Sequence, residues 1–87
     1  MEQVRIQDKV LKELWKTKDE MKVKYLVENT NFNRTQIYQA LRRLKDRGLI
    51  SSRIEYPGNG RVDNRVLIVK LKNIRHAEII LERKDLI

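Results

Sequence analysis

Cysteine is absent from this sequence, which excludes a disulfide framework and any thiolate metal site. Histidine occurs once, at His76, with no motif around it. That scarcity argues against an enzyme and against a metal centre, and nothing else in the sequence suggests a cofactor or a small-molecule effector pocket. No segment approaches the roughly 18 consecutive apolar residues that a membrane span requires. The opening MEQVRIQDKV is charged throughout and lacks the apolar core of a leader peptide, so the expected location is cytoplasmic. Proline occurs once and glycine three times, and two of those glycines sit beside the proline in Pro57-Gly58-Asn59-Gly60. Internal repeats, low-complexity tracts and obvious domain linkers are also lacking. Eighty-seven residues make one domain, or one domain with a terminal arm. A chain this short buries only about 60–65% of the surface that its unfolded form exposes, so modest stability is expected.

Positive charge, by contrast, is abundant. Twenty Lys and Arg against twelve Asp and Glu leave a net charge of +8. An excess of that size suggests a polyanionic partner. Its distribution is more informative than its total. Residues 1–20 hold five basic and five acidic side chains, and residues 73–87 hold three of each. The excess lies between them, with seven basic against two acidic over 21–47 and five against two over 48–72.

Apolar periodicity divides the chain into elements. Val4, Val10, Leu11, Leu14 and Trp15 fall on one side of an amphipathic helix over about residues 3–16, with Trp15 expected as a core anchor. A second, shorter helix is predicted from Met21 to Asn29, turning Val23, Leu26 and Val27 inward. The polar run Asn29-Thr30-Asn31-Phe32-Asn33 reads as a tight connection, with Phe32 plugged into the core. Asn33 followed by Gln36 resembles a capping box opening a third helix. Ile37, Leu41 and Leu44 line its inner stripe, with Ala40 at the edge, and Gly48 ends it. From there the period changes to two. Ile50, Ile54 and Tyr56 alternate with Ser51, Arg53 and Glu55, and Arg65-Val66-Leu67-Ile68-Val69 forms a second strand, giving a hairpin with a basic tip. Asn73 caps a last helix to about Asp85, with Ile74, Ala77 and Leu81 facing the core.

Two small amphipathic helices joined by a short turn form a helix-turn-helix arrangement, in which the second helix enters the major groove. Leu41-x-x-Leu44-x-x-x-Gly48-Leu49-Ile50 resembles the end of the recognition helix and the first wing strand of winged-helix transcription regulators. Asn33 takes the place of the serine that often caps that helix, and Ile37 that of its buried β-branched residue. The resemblance spans residues 4–85. It implies a mainly α fold with a β-hairpin, built as a three-helix core, a two-stranded wing and a C-terminal helix. It also implies a groove-reading helix, a wing over the phosphates and a two-fold dimer.

The residues themselves offer a matching surface. With the apolar stripe of the third helix turned inward, the outer side presents Thr35, Tyr38, Gln39, Arg42 and Asp46, flanked by Arg34, Gln36 and Arg43. Gln suits adenine edges, Arg suits guanine, and Thr suits phosphate or a thymine methyl. Tyr38 is open to two roles, contacting phosphate or packing on its neighbours. In the hairpin Arg53, Arg61 and Arg65, with Asn59 at the tip, are candidates for phosphate or minor-groove contact. Lys22 and Lys24 are candidate phosphate clamps. The expected activity is sequence-specific binding of double-stranded DNA by a transcriptional regulator of repressor type. A less specific DNA module in replication, partition or chromatin architecture is an alternative, and so is a winged helix used for protein–protein contact.

The termini suggest how two copies would meet. Residues 1–72 form the expected DNA-binding domain, and residues 73–87 a helical dimerisation element with Ile79, Ile80, Leu86 and Ile87 at the interface. Both ends are net neutral, so a homodimer would avoid the repulsion of the basic centre. Two-fold pairing would set the reading helices about 34 Å apart on an inverted repeat.

Overall fold

The computed structural model describes residues 5–56 and 65–87. Its elements run α1 (Ile6–Thr17), β1 (Met21–Lys22), α2 (Val23–Asn29), α3 (Arg34–Asp46), β2 (Ile50–Glu55), β3 (Val66–Leu71) and α4 (Ile74–Arg83). The four helices and the antiparallel β2–β3 pair fall where the periodicity predicts them. Val4 and the turn Pro57-Gly58-Asn59-Gly60 lie outside the described residues.

One core unites these elements. Val10, Leu11 and Leu14 of α1 meet Leu26 of α2, Ile37, Ala40, Leu41 and Leu44 of α3, Ile50, Val69 and Leu71 of the sheet, and Ala77 and Leu81 of α4. The last helix therefore belongs to the same core as the first. Phe32 and Trp15 pack against this cluster without being fully enclosed. The reason for Trp15 is polar: its indole N–H donates to Glu78 of α4 at 3.2 Å, and Lys18 sits 5.3 Å above its ring.

The sheet differs from the expected two-stranded hairpin. Met21 and Lys22, predicted as the start of the second helix, form a short strand on the free side of β3, giving the order β1-β3-β2. Met21 pairs with Val69 and Lys22 with Ile68. Burying Met21 while the next side chain faces solvent is a two-residue alternation, too short to register as a period in sequence.

Two further expectations are corrected. Ile54 and Tyr56 share a strand face with the buried Ile50, yet they are 50% and 62% exposed. Of this face of β2, Ile50 belongs to the core cluster, whereas Ile54 and Tyr56 lie outside it. Ile74, expected in the core, is 39% exposed, because Ala77 and Leu81 take the inner side of α4.

Local stereochemistry closes the helices. Gly48 adopts φ 73° after α3, a left-handed conformation that releases the chain into β2. After α4, Asp85 is left-handed, its N–H reaching Glu82 O at 3.1 Å while the Leu86 N–H reaches Leu81 O at 2.9 Å. This Schellman closure folds Leu86 back onto the core. Among the described residues no helix is long and apolar enough to cross a membrane.

Candidate nucleic-acid interface

The third helix carries the richest polar surface. Asn33 accepts from the Gln36 N–H at 2.8 Å, and the Gln36 side-chain carbonyl accepts from the Asn33 N–H at 3.0 Å. This reciprocal pair forms the capping box that the sequence suggests and fixes where the helix begins. It also commits Oε1 of Gln36 to the protein's own backbone. A glutamine read against adenine needs both its carbonyl and its amide, so Gln36 has only its amide left for a base edge.

Burial of Ile37, Ala40, Leu41 and Leu44 turns the other side of α3 outward. At 100° per residue, Thr35, Gln39, Arg42 and Asp46 lie opposite that stripe, with Tyr38 on one flank and Arg43 on the other. All six are exposed. Among the described residues, Arg34, Arg42 and Arg43 make no ion pair and no side-chain hydrogen bond, so their guanidinium groups stand unneutralised. The first turn of α3 contains Arg34 and no acidic side chain. Positive charge at that end opposes the helix dipole by about 0.3–1 kcal/mol, a cost that a bound anion would relieve.

Tertiary packing adds residues that the sequence does not single out. Arg5, Ile6 and Gln7 at the start of α1 line a shallow cleft with Gln36, Gln39, Ala40 and Arg43 of α3. Arg47 Nη1 donates to Gln7 Oε1 at 3.3 Å, tying the far end of α3 to α1. A separation of 40 residues hides this neighbourhood from any local pattern. Lys45, on the inner flank, donates to Ser52 Oγ at 3.2 Å and so links α3 to β2.

The remaining candidates are dispersed. Lys22 and Arg53 both pair across from Ile68, one on each side of it, and so share one face of the sheet. Ile68 is buried but stands apart from the main core cluster, which marks that face as the one turned away from the helices. Lys22 and Arg53 are therefore not continuous with the outer side of α3. Arg53 is also engaged by both Glu55 and Glu20. Its hydrogen bond to Glu55, with the charges of both carboxylates, raises its pKa above the ordinary guanidinium value. Its charge is locally balanced. Lys24 is exposed on α2, and Arg65 is exposed beside the first residue of β3. Asn59 and Arg61 lie outside the described residues.

The terminal apolar residues separate into two groups. Ile80 and Leu86, expected between two copies, pack against the domain's own core. Ile79 is half-buried outside that cluster, and Ile87 is 42% exposed.

Among the described residues, fold and surface together define a small α/β domain with four helices, a three-stranded antiparallel sheet and a cationic helix face. No family model matches the chain, and no curated protein matches it.

Proposed function

We propose that this chain is a winged-helix protein that binds double-stranded DNA, reading sequence with α3 and acting as a transcriptional regulator. The observation that carries the reading is the division of α3 into a fully engaged apolar side and an exposed side bearing Thr35, Gln39, Arg42 and Arg43. Those residue types combine base-edge donors and acceptors with uncompensated positive charge. The four-residue connection from Thr30 to Asn33 supports the same reading, because it sets α3 as the second member of a helix-turn-helix pair. The β2–β3 hairpin would serve as the wing, with Arg65 near its turn end, next to the Glu55–Val66 pair. Arg5 and Arg43, on either side of the α1–α3 cleft, extend the positive surface toward one flanking phosphate strand. Two copies on an inverted repeat would present two such helices to successive major grooves.

Selection of preferred duplexes from a random pool, followed by titration of the selected site and of unrelated DNA, tests this function. A selected site bound at least a hundredfold more tightly than unrelated duplex is the expected result. Equal affinity for all duplexes would leave only a non-specific binder, and absence of binding at low salt would refute the reading.

A further inference from the structure

The order β1-β3-β2 leaves β2 as an edge strand, paired on one side only among the described residues. An unpaired edge is a template for another strand, and proteins usually blunt such edges with charge or cover them. Here the charges have a particular order. Arg53 and Glu55 flank Ile54 on one face of the strand, while Ile54 is half exposed on the other and Tyr56 more so. Ile54 is also the cross-strand partner of Leu67, which packs against the core.

We propose that a second copy of this chain docks on the edge of β2, antiparallel, with a two-fold axis at Ile54. In that register Ile54 stands opposite the second copy's Ile54. Arg53 stands opposite the second copy's Glu55, and Glu55 opposite its Arg53. Opposite charges at directly facing positions stabilise a strand pair, and like charges destabilise it. The sequence selects this register over its neighbours. Sliding one copy by two residues either way sets Arg53 against Arg53 or Glu55 against Glu55, and a one-residue slip moves Ile54 to the wrong face. The apolar row Leu67–Ile54 then continues across the axis into its own copy, covering side chains that a single domain leaves in solvent. Arg53 exchanges part of its pairing with Glu55 of its own strand for Glu55 of the other. Isologous contact of this kind closes on itself and does not propagate into a filament. This inference rests on the sheet edge alone and stands whether or not α3 reads DNA.

The absence of native cysteine gives a clean test, since Ile54→Cys introduces a single thiol. Facing residues of an antiparallel pair have Cα atoms roughly 4.5–5.5 Å apart, within the range that a disulfide spans. Under mild oxidation at micromolar concentration, Ile54→Cys should become predominantly a disulfide-linked dimer, whereas Ile79→Cys and Ile87→Cys should remain mostly unlinked. By sedimentation of the uncrosslinked protein, Arg53→Glu or Glu55→Arg should weaken self-association at least tenfold, and the double exchange Arg53→Glu, Glu55→Arg should restore it. Fluorescence of the single Trp15 reports that each variant is folded. A monomeric wild type would overturn the proposal. So would preferential crosslinking through Ile79 or Ile87, or a folded Arg53→Glu variant that associates as the wild type does.

Discussion

Lys84 donates to both carboxylate oxygens of Asp8, at 2.9 and 3.2 Å, and so joins the first turn of α1 to the end of α4 across 76 residues of sequence. The Asp8 side chain is only 9% exposed, whereas that of Lys84 is 39% exposed. The carboxylate therefore depends on the ammonium more than the reverse. Lys84→Ala, which strands a nearly buried charge, should cost about 1–3 kcal/mol. The partly wet geometry holds that cost below the loss expected for a fully buried pair. Asp8→Asn should cost less, because the amide retains an acceptor for Lys84. Urea denaturation followed through Trp15 fluorescence measures both, and a larger loss for Asp8→Asn would contradict this ordering.

Gly48 is required for its backbone and not for its size. A methyl group at its α-carbon would meet nothing within 4 Å, but the φ of 73° is one that side chains disfavour. Gly48→Ala should therefore destabilise by about 1–2 kcal/mol through conformation alone. Gly48→Asn should cost less than Gly48→Val, since asparagine tolerates the left-handed region and β-branched residues do not. Equal losses for alanine, asparagine and valine would point to a cause other than backbone conformation.

The capping box separates stability from recognition at two neighbouring glutamines. Asn33→Ala should lower stability by about 1 kcal/mol through loss of the cap. Gln36→Ala should lower stability as well, with little change in affinity for the selected duplex relative to random DNA. Gln39 is exposed and forms no cap, so Gln39→Ala and Arg42→Ala should leave stability nearly unchanged. Each should cost roughly 1–3 kcal/mol on the preferred site and little on random duplex. Paired thermal melts and binding titrations read out the contrast. Loss of discrimination in Gln36→Ala but not in Gln39→Ala would reverse the assignment.

Arginines of the hairpin should differ in their response to salt. Arg65 has no carboxylate partner among the described residues, and Arg53 has two. A phosphate contact contributes about 0.9 to the slope of log affinity against log salt concentration. Arg65→Ala should therefore lower the slope by about one, whereas Arg53→Ala should change it by much less. Arg61→Ala is expected to behave like Arg65→Ala. Titrations at several salt concentrations decide the point, and identical slopes for all three variants and the wild type would remove the hairpin from the DNA.

Local chemistry makes much of this domain legible in the amino-acid sequence. The inner stripe Ile37, Leu41 and Leu44 announces α3 because a 3.6-residue period is an intrinsic property of the helix. Asn33 with Gln36, Asn73 and Gly48 mark boundaries because caps act within three or four residues. The outer side of α3 follows from the inner one by geometry, and Gln39 and Arg42 fall on it for that reason.

What the sequence leaves undetermined depends on neighbours distant along the chain. Met21 and Lys22 become a strand only because β3 offers them an unpaired edge, and two residues carry no period of their own. Ile54 and Tyr56 alternate like core residues, yet the core cluster takes Ile50 and leaves them exposed. Leu86 reads as a surplus apolar residue until the left-handed Asp85 folds it back onto its own core. Arg53 reads as a free cation until the sheet sets it beside Glu20, which lies 33 positions earlier. Periodicity and capping are encoded within a few residues. Which apolar side chain finds a partner, and which charge is neutralised, is decided only when the chain closes on itself.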